Sequence, residues 1–68
     1  MQKISIDNKG VQLSLSEEEL NLMCNALNEV CNGVEIPEFS TRLGASKEEA
    51  QELLRLLSDI TQDINLQR

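Results

Sequence analysis

Four asparagines, Asn21, Asn25, Asn28 and Asn32, recur at i, i+4, i+7 and i+11. At 100° per residue they fall on one arc of a helix about 60° wide. Asparagine is a poor helix former, so four on one stripe work against local propensity. A carboxamide both donates and accepts hydrogen bonds and carries no charge. The stripe therefore predicts a polar contact surface, with Leu22 as an apolar anchor beside it and Glu18 and Glu29 at its rim. These seven residues are the candidate partner-binding set. The competing reading is a solvated face tolerated by a stable tertiary context, although such a face ordinarily uses Glu, Lys, Arg or Gln.

Catalysis finds little support in the residue types. The chain has no histidine, so no Ser, Cys or Lys can sit beside the commonest general base. Carboxylate pairs such as Glu48 and Glu52 lie on an exposed helical arc, where nothing tunes their acidity. Gly10, Gly33 and Gly44 are isolated and form no phosphate-binding loop, and no Ca²⁺-loop spacing occurs. The expectation is a non-enzyme with no cofactor and no metal. Cys24 and Cys31 lie seven positions apart, about 10 Å along a helix axis, beyond the roughly 7 Å that a disulfide spans. Both read as small buried hydrophobes, and two unpaired thiols fit a reducing cytoplasm.

Composition narrows the partners. Sixty-eight residues make one small domain, whose 12 acidic and 6 basic residues leave a charge of −6. Phosphate backbones and anionic lipid both repel such a surface. Phe39 is the only aromatic residue, so the stacking platforms of single-strand binders are missing. No apolar run approaches the ~20 residues of a membrane span, and the opening residues predict no signal peptide.

The elements that must position these residues follow from periodicity. Ile4 and Ile6, then Val11, Leu13 and Leu15, alternate with polar neighbours around the turn Asp7-Asn8-Lys9-Gly10, which predicts a β-hairpin over 3–15. Ser16 with Glu19 forms a capping box that opens a helix over 17–32, with Leu20, Met23, Cys24, Leu27 and Cys31 as its apolar stripe. Gly33 is placed to end that helix in a left-handed conformation. Pro37 opens a short helix over 37–43 at its first helical position, and Gly44 stops it. A second capping box, Ser46 with Glu49, starts a helix over 47–65 whose stripe is Ala50, Leu53, Leu54, Leu57, Ile60 and Ile64. The fold class is α+β: an N-terminal hairpin followed by three helices, with the two long helices covering the hairpin's apolar face.

Between Phe39 and Leu53 the chain resembles a helix-turn-helix, with Phe39, Leu43, Ala45, Ala50 and Leu53 at the buried positions and Gly44 at the turn. Ser40 stands where that motif usually has a small apolar residue. The resemblance implies a second helix aimed at the major groove. Its outward residues, Lys47, Glu48, Gln51, Glu52 and Arg55 with Glu49 close by, are too acidic for that role. Nucleic acid is thus not the expected partner, and a divergent DNA-binding regulator is the alternative reading. The leading expectation is a cytoplasmic protein–protein interaction module of regulator or inhibitor type, like the small acidic immunity and antitoxin proteins. Open hairpin edges and off-stripe Leu22 and Leu56 further predict a homodimer.

Overall fold

The structure is a computed structural model that describes residues 1–67. It has the α+β architecture the sequence predicts. An antiparallel hairpin of β1 (Gln2–Asp7) and β2 (Gly10–Ser14) leads into α1 (Glu17–Asn28), and α1 runs on through a π-helical turn, Glu29–Gly33. The short α2 (Phe39–Leu43) and the long α3 (Lys47–Leu66) complete the order.

Local chemistry accounts for most boundaries. The Asp7 carboxylate accepts the Lys9 N–H at 2.8 Å and the Gly10 N–H at 3.1 Å, closing the hairpin turn from its own side chain. Ile6 pairs with Val11 and Ser5 with Gln12, and the Ser5 hydroxyl bonds the Gln12 side chain at 2.9 Å. The register then slips between Lys3 and Ser5, so Lys3 rather than Ile4 faces Leu13. Both capping boxes are formed: Ser16 accepts from the Glu19 N–H, Ser46 accepts from the Glu49 N–H, and each glutamate accepts in return from the serine N–H. Gly44 ends α2 at φ +74°, where an L side chain is strained.

Three expectations are corrected. Gly33 does not take a left-handed conformation; α1 ends instead by widening to a π turn, closed by the Val34 N–H on the Glu29 carbonyl at 3.0 Å. Pro37 does not open α2, which begins at Phe39 after Glu38 adopts left-handed backbone at φ 55°. The third correction is the largest. The two long helices do not cover the hairpin, whose residues are exposed on both faces, Ile6 at 65% and Val11 at 53%. The two-period alternation marks an apolar face but carries no information about what packs on it.

The helices pack on each other. Cys24 Sγ lies 3.7 Å from Thr61 Oγ1, while Leu27 and Val30, further along α1, share a groove with Leu53 and Leu57, earlier in α3. Advancing along one helix thus retreats along the other, so α1 and α3 run antiparallel. Their seam supplies the whole buried core of the described residues: Leu20, Cys31 and Ala50. One helix pair plus an unpacked hairpin gives a flat molecule, 38 × 32 × 16 Å. Its radius of gyration of 13.6 Å exceeds the roughly 11 Å of a compact domain this long.

The caps generate two predictions. Gly44→Ala should destabilise by about 1 kcal/mol or more, because no contact but only backbone conformation opposes the added Cβ; an unchanged Tm in a thermal melt would contradict it. In acid, the Met1 ammonium and the Ser16 N–H hold the Glu19 carboxyl down at about 2, and the Ser46 N–H lowers Glu49 in the same way. Both values are depressed in the folded state, so their stabilisation is complete above the unfolded value of about 4.3 and is lost as pH falls below it, toward 2 for Glu19. Denaturant melts between pH 6 and pH 2 should show that loss, and Glu49→Gln should flatten part of it.

Candidate functional site

The asparagine stripe is where the sequence places it. Asn21, Asn25 and Asn28 lie on α1 and Asn32 in the π turn, and all four are exposed. The Asn32 side-chain amide donates to Asn28 Oδ1 at 3.0 Å, the i, i+4 neighbour on the same face. Among the described residues, the side chains of Asn21 and Asn25 bond no other protein group, so their full hydrogen-bonding capacity is turned to solvent. Leu22 is 69% exposed beside them. Glu18 is exposed at the first turn of α1. Glu29 is also exposed, but its carboxylate folds over Gly33 so closely that a Cβ there would lie 2.3 Å from Glu29 Oε2. The seven predicted residues therefore form one solvent-facing strip along the first helix, with Glu29 partly turned toward its end.

A second surface, absent from the predicted set, lies on the other flank. Met23, Ala26, Leu27 and Val30 line an open apolar groove of about 280 Å³ with Leu53 and Leu57 of α3. Leu53 and Ile60 are 49% and 48% exposed, and Leu56 extends the same side of α3. At 100° per residue, Met23, Ala26 and Val30 lie about 200° around α1 from the asparagines by the arc that holds the core seam, and about 160° by the arc through Leu22. Met23, Leu53 and Ile60 belonged to the predicted core stripes. One neighbouring helix covers only part of a stripe that wide, and the uncovered part is the groove. Leu22 and Leu56, off the main stripes, were the signal available in the sequence.

The remaining chemistry is sparse. Thr61 donates its hydroxyl to the Leu57 carbonyl at 3.0 Å, which satisfies it beside the Cys24 thiol. Cys24 and Cys31 are both free, as their spacing requires. Arg55 bonds Glu52 at 3.0 Å and Asp59 at 3.1 Å along α3, and its guanidinium holds the Glu52 carboxyl below the usual range. The helix-turn-helix-like corner has its turn at Gly44 and Phe39 half-buried, but Leu43 is exposed and Arg55 is engaged by carboxylates. No described helix is long and apolar enough to cross a membrane. No protein family, curated protein or solved structure matches the chain.

The stripe's independence from folding is testable. Asn25→Ala replaces an exposed mid-helix asparagine with the best helix former, and should stabilise by about 0.5 kcal/mol. A fall in Tm would make the carboxamide a structural group instead.

Proposed function

We propose that this chain is a small acidic protein-binding module without catalytic chemistry, a regulator or inhibitor that acts by occupying another protein's surface in the cytoplasm. The observation that carries the reading is surface left uncovered. The chain exposes 5515 Å², whereas a folded monomer of 7.6 kDa exposes about 4,300 Å². A stable catalytic domain needs a core that holds reacting groups rigid, and the three buried side chains among the described residues do not supply one. Exposed surface with few internal partners supports recognition instead.

The asparagine strip suits the contact with a foreign protein. Carboxamides satisfy a partner's backbone groups, and desolvating them costs less than desolvating charges. Leu22 supplies an apolar anchor, and the net charge of −6 steers the chain toward basic surfaces. The same charge disfavours nucleic acid as the target, and the exposed residues of α3 do not offset it: Glu48, Glu49 and Glu52 stand beside Lys47 and Arg55.

Affinity capture from native lysate with the tagged chain as bait tests the reading. One partner should be retained near stoichiometry, and Asn25→Lys combined with Asn28→Lys should lose it with the helical circular dichroism unchanged. Retention at full yield by the double variant would move the contact off the strip. A bait that retains only its own copies would remove the foreign partner altogether.

A further inference from the structure

We infer that the apolar face shared by α1 and α3 is the seam of a homodimer, occupied by the same face of a second copy related by a twofold axis. This deepens the reading of an interaction module by naming the occupant of one surface. It does not depend on the asparagine strip, which lies on the opposite flank of α1.

Three observations choose a second copy. The first is spacing. Met23, Ala26 and Leu27 on α1 and Val30 in the π turn that continues it repeat at i, i+3, i+4 and i+7, and Leu53, Leu56, Leu57 and Ile60 on α3 repeat at the same intervals. Two antiparallel helices thus present apolar stripes of equal length, about 10 Å each, and neither contains a charged residue. Such a face is self-complementary: turned about a twofold axis lying in the plane between the two layers, it meets its own copy as a four-helix arrangement, each helix giving one two-turn apolar set to the centre.

The second observation is a missing layer. α1 and α3 pack on each other, and the groove between them stays open, with Met23 and Leu53 exposed. Domains bury an apolar helix face by adding a second layer. A second copy supplies one of matching size.

The third is area. The exposed surface exceeds that of a compact chain of this mass by about 1,200 Å². A standard stable interface takes about 800 Å² from each partner, within that excess. The border is compatible with close approach, since Arg55 beside Leu56 is already paired with Glu52 and Asp59. Each copy nonetheless carries −6, so the copies repel at long range and salt should tighten the dimer by screening.

Sedimentation equilibrium of the full chain is the test. At roughly 100 µM the mass should be twice 7.6 kDa, and the dissociation constant should fall several-fold between about 0.02 and 0.5 M NaCl. Leu53→Glu with Ile60→Glu should weaken association by roughly tenfold or more, whereas Gln51→Glu with Ser58→Glu, the same added charge on the opposite side of α3, should not. Should the double glutamate variant lose its helical signal, the wild-type chain decides the matter: a Tm that rises with protein concentration supports the seam. A helical wild-type monomer at that concentration would overturn it. So would a dimer weakened equally by Val11→Ser, because the occupant would then be the hairpin.

Discussion

The tertiary packing of this chain depends on the seam between α1 and α3. Leu20, Cys31 and Ala50 are the buried side chains among the described residues, with Cys31 only 2% exposed. Two of the three are small. Small residues let helix backbones approach closely, but they bury little apolar area, and hydrophobic stabilisation scales with the area removed from water. A single seam of this kind is a thin basis for a chain of 68 residues, which already sits near the lower limit of self-sufficient size. The two capping boxes, the turn closed by Asp7 and the Met1–Glu19 ion pair all add local order at the surface without enlarging the core.

The parts legible in the sequence are those decided by neighbours along the chain. Ser16 with Glu19, and Ser46 with Glu49, state where helices begin because both partners of each bond lie within four residues. Gly44 states where α2 ends because its conformation excludes other residues at low cost. The asparagine strip is legible for the same reason, being a matter of helical spacing alone. The π turn was not: Glu29 and Gly33 satisfy an ordinary helix end equally well. Pro37 has the residue type of a first helical position, but Glu38 takes left-handed backbone and α2 starts at Phe39, two residues after the proline.

The parts that were not legible are those decided at a distance. Ile4, Ile6, Val11 and Leu13 declare an apolar face without naming its cover, and the helices assigned to cover it pack on each other instead. The groove was hidden by a related ambiguity. Met23, Leu53 and Ile60 have the spacing of core residues, and spacing does not reveal how many neighbouring helices exist to bury them. An apolar stripe wider than one neighbour covers is either a defect or an interface. Sequence periodicity treats the two alike.

Distribution around α1 separates them. The asparagines and the groove residues lie about 100° to either side of the core seam, so one helix carries three surfaces of different chemistry. An accidental deficit of core would scatter exposed leucines among polar residues. Here Met23, Ala26 and Val30 are grouped on one flank, and that flank continues across to Leu53, Leu56 and Ile60 of α3. The polar carboxamides are confined to the other. Separation of this kind lets both surfaces be used at once, because covering the apolar flank leaves the asparagine strip facing outward. Doubling the chain would then present two such strips, related by the twofold axis, and a target with two sites would be held by both with no new contact required.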